Sequence, residues 1–252
     1  QFAATQTVEI SGVGTVPIRC TQAGAMGNLP AGSITLMPVQ IAGIVKAANE
    51  AETTGGYDAE DDASYYERYL LLLRTPPTSG NQYHYRFWAL EVSGVGDVQV
   101  YPLGHGDNTV DVVIIDTDGQ PADAELVERV QAHIDPESKG LGEGEAPIGA
   151  YCYVSAATGV DIDLSLAVTA LPSAEPSAVT AAIQAAVADY LKGIAFRQDY
   201  VSYAQIAAAI LSAEGVEDFA NLSVNGGTGN VAIGARQVAI LGEVSIQYGD
   251  DP

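Results

Sequence analysis

Basic residues are scarce in this sequence. Three lysines and seven arginines stand against 32 acids, a formal net charge of -22. So few cations, scattered along 252 residues, cannot assemble a basic stripe. That excludes nucleic acid as a partner, because phosphate contacts need clustered Lys and Arg. An anionic membrane surface is excluded as a direct partner on the same ground. The acidity itself reads first as solubility, and second as a match for a partner with a basic face. Cysteine is also rare. Cys20 and Cys152 stand alone, no C-x-x-C occurs, and a zinc knuckle is therefore excluded. Two free thiols are expected, with a pairing of Cys20 and Cys152 left open. No apolar run approaches the roughly 20 residues that span a bilayer, and no signal peptide is visible.

What is present is a globular composition, 47% hydrophobic and 17% charged. The length allows one large domain or several small ones. The chain opens at Gln1 within what reads as a strand, as expected of a piece of a longer or processed protein. Residues 1–38 read as a β-rich piece, with a hairpin signal around Gly12 and Gly14. An acidic connector leads to a helix opened by an S-x-x-E box at Ser64 and Glu67 and stopped by Pro76-Pro77.

The stretch "GNQYHYRFWALEVSGVGDVQV" holds the only tryptophan. On a helix of 100° per residue, Tyr85, Trp88, Ala89 and Val92 share one side, and Tyr83, Phe87 and Leu90 the other. Two opposed apolar faces predict packing between two layers, one of which is open to a neighbouring element or subunit. Gly94 ends the helix and Val95 launches a strand. Val110, Val112 and Ile114 continue as a strand partner. Pro121 opens a helix with Leu126, Val127, Val130 and Ile134 on one face, and Asp135-Pro136 closes it. A second strand pair follows, in which Val160, Ile162, Leu164, Leu166 and Val168 alternate. A helix from Pro176 to Leu191 comes next, then a capping box at Ser202 and Gln205, then closing strands. The order of capped helix, Gly-Val and strand occurs twice, which suggests a duplicated unit.

The expected class is α+β. Several small subdomains of helices pack on short antiparallel sheets, after the β-rich N-terminal piece. The boundaries are read as 1–38 for that piece, 39–95 for a helical segment, 96–172 for an α+β subdomain and 173–252 for a C-terminal helix–strand subdomain.

No chemical signature rises from the residues. His84, His105 and His133 lack metal-ligand spacing, and His105 beside Asp107 reads as a turn. "DTDG" at Asp116–Gly119 lacks the downstream glutamate of a calcium loop. The glycine-rich segments have neither phosphate-loop nor dinucleotide order. No catalytic residue, cofactor or metal site is therefore expected. A carbohydrate-binding or cell-wall-degrading module is the alternative reading, with Tyr65, Tyr66, Tyr83 and Trp88 as its stacking candidates.

Read as a whole, the pattern resembles a known family. The features are Gly27-Asn28, Gly55-Gly56, an acidic residue before the helix, Arg68, Gly80-Asn81, Trp88-Ala89 and Gly94-Val95. Their order is similar to that of the baseplate J-like family of contractile phage tails, from about residue 15 to the C-terminus. Asn108-Thr109-Val110 fits the family's G-x-G-T-V strand start in part, since Asp107-Asn108 stand where glycine is usual. The resemblance implies a structural wedge subunit of the tail baseplate, or of a bacteriocin or other injection machine with that fold. It implies contacts with copies of itself and with other wedge and hub proteins, a part in relaying the contraction trigger, and no catalytic residue. Candidate packing or interface residues are Tyr83, Tyr85, Phe87, Trp88, Leu90 and Val92. Candidate turn residues are Gly55, Gly56, Gly80, Asn81, Gly94 and Val95.

Overall fold

The computed structural model describes residues 1–39, 41–74 and 78–248. The chain divides into two units, Gln1–Arg74 and Thr75–Pro252. The expected stop of the first long helix at Pro76-Pro77 lies outside the described residues.

The first unit has little regular structure. Strands β1 (Phe2–Ala4) and β2 (Ile18–Cys20) pair antiparallel, a far shorter ladder than the alternation from Thr5 onward predicts. Side chains do the holding instead. The Asn28 amide donates to the Gly56 carbonyl (2.9 Å) and its oxygen accepts from the Gly56 N–H (2.8 Å). The Thr53 hydroxyl accepts from the Leu29 N–H and donates to the Gly27 carbonyl. Gly56 is required there, because a Cβ would overlap the Gly24 carbonyl oxygen. Helix α1 spans Asp62–Arg74. Its cap is Asp61, whose carboxylate accepts from the Ser64 N–H at 2.8 Å, so the cap sits three residues before the Ser64 box. Arg68 bonds Glu60 through two nitrogens, at 3.1 and 2.9 Å.

The second unit carries two three-stranded sheets. In the first, α2 (Gln82–Glu91) leads into β3 (Val95–Pro102), β4 (Thr109–Asp116), α3 (Ala124–Ile134) and β5 (Tyr151–Ala156). The sheet order is β3-β4-β5, antiparallel then parallel. In the second come β6 (Thr158–Ala170), α4 (Pro176–Ile194), β7 (Tyr200–Val201), α5 (Tyr203–Ser212), β8 (Val216–Val224), β9 (Val231–Ala232) and β10 (Gln237–Tyr248). Its order is β10-β6-β8, parallel then antiparallel, while β7 and β9 form a separate two-stranded pair.

The class is α+β, but the sheets are mixed rather than antiparallel, and β6 and β10 are long. The reason is connectivity. A helix between β4 and β5 carries the chain back to the end where it started, so the second strand runs parallel. The alternating segment read within a second strand pair, β6, does not pair with the adjacent β5. They are one extended run with Ala157 between them, and they join different sheets.

The Pro121 start is corrected to Ala124, because Asp123 is the cap and accepts from the Leu126 N–H at 2.7 Å. Leu126, Val130 and Ile134 are fully buried. The stripe of α4 and the alternating face of β6 meet in one core containing Val179, Ile183, Val187 and Leu191 with Ile162, Leu164 and Leu166. Strand β4 is buried on both faces. Val112 and Ile114 face the cluster of α2 and α3, whereas Val113 and Ile115 meet Ala157, Ala195 and Val238. Double burial explains the unbroken run "VVII" at residues 112–115.

The repeated order seen in the sequence has matching geometry. Asn81 and Ser202 cap ten-residue helices by accepting from the third N–H. The helices end at Val92 and Ala213, both extended. Gly94 (φ 105°) and Gly215 (φ 85°) then turn the chain into β3 and β8. Each of these strands pairs antiparallel with the central strand of its sheet.

Candidate functional site: the sheet junction and the exposed faces

The helix around Trp88 is placed by its Asn81 cap and by the left-handed Gly80 (φ 71°) before it. Tyr85, Trp88 and Ala89 are buried. Tyr85 meets Trp88 edge to face at 5.1 Å, and His84 stacks on the indole at 3.9 Å. Phe87, Leu90 and Val92 pack, half-buried, against the same cluster. The second layer expected for Tyr83, Phe87 and Leu90 is thus not a separate one within the chain. The helix tilts its margins into one core, and only Tyr83, 39% exposed, stays outside. With Trp88 buried, the proposed sugar-stacking platform loses its largest member.

Beneath Tyr85 lies a buried polar knot. Asp135 is 2% exposed and accepts from the Gly140 N–H (3.0 and 3.2 Å) and the Cys152 N–H (3.0 Å). Gln131 adds a bond from its amide to the Cys152 carbonyl. Cys152 is a buried free thiol, and Cys20 is also free and half-buried. Burial, then the Asp135 and Asp111 charges, pushes the Cys152 thiol up to about 12. Burial, then Cys152 and Asp135, pushes the Tyr85 phenol up to about 12. The Tyr85 hydroxyl is buried without a hydrogen-bond partner. These shifts make both groups inert at neutral pH, which suits a core rather than a reaction centre.

The densest polar cluster sits where the two sheets meet. Asp111 on β4 is flanked in register by Tyr101 on β3 and Tyr153 on β5. Its carboxylate receives His105 Nδ1 at 2.7 Å and the Arg236 guanidinium at 2.6 Å. His105 stacks on Tyr153 at 4.4 Å, and Arg236 lies over Tyr101 at 4.6 Å. The Tyr101 hydroxyl accepts from the Arg236 backbone N–H and donates to Gln99 Oε1. Gly104 must lack a side chain, since a Cβ would overlap Asp111 Oδ2. Arg236 itself is held at φ 65°. A second tie joins Lys192 of α4 to Asp118 at 3.1 Å. His105 therefore pairs with Asp111, not with the nearby Asp107. "DTDG" is a turn in which Asp116 accepts from the Asp118 and Gln120 N–H groups, and burial raises its pKa. His133 meets Glu91 at 3.3 Å.

The Asp111–Arg236 pair was not anticipated from sequence. The one signal was a lone aspartate inside an apolar strand, and nothing in the spacing pointed to its partner.

A shallow open groove of about 550 Å³ adjoins the junction, lined by Gln99, Tyr101, Arg197, Gln198, Asp199 and Tyr200 among others. Among the described residues no three His, Cys, Asp or Glu side chains gather to hold a metal ion. No helix among them is long and apolar enough to cross a membrane.

Comparison with known proteins gives three consecutive matches. Residues 1–56 match the baseplate J-like protein barrel domain, 77–156 the baseplate J-like central domain and 162–247 the baseplate J-like protein C-terminal domain. The uncharacterized protein YqbT of Bacillus subtilis is 34% identical over 230 residues, which cover 91% of this chain and 66% of that protein. Protein XkdT of the phage-like element PBSX of Bacillus subtilis is 32% identical over 228 residues, 90% of this chain and 65% of the relative. Baseplate protein gp47 of Escherichia phage Mu is 32% identical over 144 residues, 54% of this chain and 40% of the relative. The chain thus spans just under two thirds of the length of the Bacillus proteins. A chain of the six-fold symmetrised cryo-EM baseplate of the anti-feeding prophage shares the fold, with a TM-score of 0.50 at 13% identity, over 91% of this chain and 52% of that one. With three models of one family matched in consecutive order, the chain belongs to the baseplate J-like family.

Proposed function

We propose that this chain is a structural subunit of the tail baseplate of a contractile phage, a prophage-derived tail or a related injection machine. Within it, the chain holds neighbouring wedge subunits around the central hub and passes on the signal for contraction. The single observation that supports this most is the consecutive match of three baseplate J-like domains along one chain. The internal chemistry agrees with it. The titratable groups with the largest shifts are buried and inert, and the densest polar cluster ties two sheets together.

The partners are other baseplate proteins and copies of this chain, and the place of work is the tail of the assembled particle. No catalytic step is assigned. Tyr83, with the half-buried margin of α2, is the part of the expected interface set that stays accessible to a neighbour.

The test is deletion of the coding gene in its source element, followed by electron microscopy of the particles. Tails lacking baseplates, restored by the gene in trans, are the expected result. Complete contractile particles without the chain would overturn the reading.

A further inference from the structure

The segment between α3 and β5 is a surface flap of residues 139–150 with an unusual contradiction. It is fixed to the core, yet it presents large apolar side chains to solvent. Fixation comes from several points. Asp135 binds Gly140, the Glu145 and Ala146 N–H groups donate to the His133 and Ile134 carbonyls, and Gly149 donates to Gly140. The Tyr151 N–H donates to the Asn108 carbonyl, and Ala146 is buried. Gly144 lies so close to the end of α3 that a Cβ would stand 2.5 Å from the Ile134 oxygen. Yet Ile148 is 84% exposed and Leu141 55%, with Tyr151 at the flap's foot at 40%. Gly142 and Ile148 abut across the two arms, as do Gly140 and the Tyr151 ring.

Apolar side chains on a rigid support lose little further freedom on docking, which favours their use as anchors. The same stretch carries Glu137, Glu143 and Glu145, all exposed, against Lys139, which is tied to Glu137 at 2.6 Å. A second copy of this chain would bring acid against acid, on top of a net charge of -22 per copy. A partner with Lys and Arg around an apolar recess has the complementary potential.

We propose that this flap is a docking plug, with Ile148 and Leu141 as anchors, for a different protein of the particle whose receiving surface is an apolar recess rimmed by basic residues. The inference rests on the reading of the chain as a particle subunit.

A photo-crosslinking residue at position 148 of the full chain, expressed in the source element, tests it in intact particles. The expected product is a crosslink to a different polypeptide, at a segment flanked by Lys or Arg. Leu141→Asp with Ile148→Asp should leave the thermal midpoint of the purified chain unchanged, because both side chains are exposed. It should lower incorporation into particles at least about tenfold, as expected for anchor residues. A crosslink to a second copy, a crosslink to an acidic segment, or full incorporation of the double variant overturns the proposal. So does wild-type incorporation with no crosslink from position 148. If the wild-type chain is missing from the particle altogether, the subunit reading itself falls.

Discussion

Arg236, in the turn before β10, places its guanidinium 2.6 Å from the buried carboxylate of Asp111 on the central strand of the other sheet. The two residues lie 125 positions apart in sequence. Asp111 is 2% exposed, so losing its cation leaves a charge with little solvent. Arg236 is itself partly exposed, so Arg236→Ala is expected to cost about 1.5–3 kcal/mol in urea unfolding, as for loss of a hydrogen bond to a charged group. Combining it with Asp111→Asn should recover part of that loss, because no unpaired charge then remains. A double variant as unstable as the sum of its parts would contradict this account.

Trp88→Ala empties a site in the core of the first sheet. A loss of about 3–5 kcal/mol is expected, read as a fall in the denaturation midpoint at constant slope. A variant of unchanged stability would mean that the indole is not a core element.

Alkaline pH should weaken the fold through Tyr85 and Cys152. Their ordinary values are 10.0 and 9.0, and both are pushed up to about 12 in the folded chain. A raised folded-state value gives stability that is complete below the unfolded value. The unfolded chain releases these protons first, so that stability drains away as pH climbs from about 9 to about 12. Cys152→Ala and Tyr85→Phe should each flatten the fall in thermal midpoint across that window. Tyr85→Phe should also be neutral or slightly stabilising at pH 7, by roughly 0–1 kcal/mol, since it removes a buried hydroxyl without a partner.

The twin turns make a paired prediction. Gly94 and Gly215 both sit at positive φ, which costs an L-residue roughly 1–2 kcal/mol. Gly215→Ala should cost more than this backbone term alone, because its Cβ would lie 2.8 Å from Val179 Cγ2 and 3.0 Å from the Ala174 Cβ. A loss no larger than that term would show that the surroundings yield.

Helix existence, the buried stripes and the Ser202 cap were legible because each rests on residues within one or two turns. So was the repeated helix–turn–strand unit, which is punctuated locally by an N-cap and a glycine. Strand partnership was legible only for β3 and β4, which adjoin in sequence and pair as read. Nothing inside "YCYVSA" or "TGVDIDLSLAVTA" says that one pairs with β4 and the other with β10, since pairing is chosen by distant residues. The double burial of β4 likewise depends on Ala195 and Val238, far along the chain. The Ser64 box failed for a simpler reason. Asp61 offers an equally good cap three residues earlier, and the helix starts there. The family motifs fared differently. Asn28 and Gly56, noticed only as points of likeness, turn out to hold each other by two hydrogen bonds.

The uninterrupted passage of backbone from β5 through Ala157 into β6 has a mechanical meaning. Where two lobes are joined by a slack tether, a pull on one is absorbed before the other feels it. Here the same covalent thread is hydrogen-bonded into both sheets, and the Ala157 N–H is itself tied to the Ile114 carbonyl at 3.0 Å. The two sheets are therefore joined by one hydrogen-bonded run of backbone, with a single residue rather than a slack segment between its two strands.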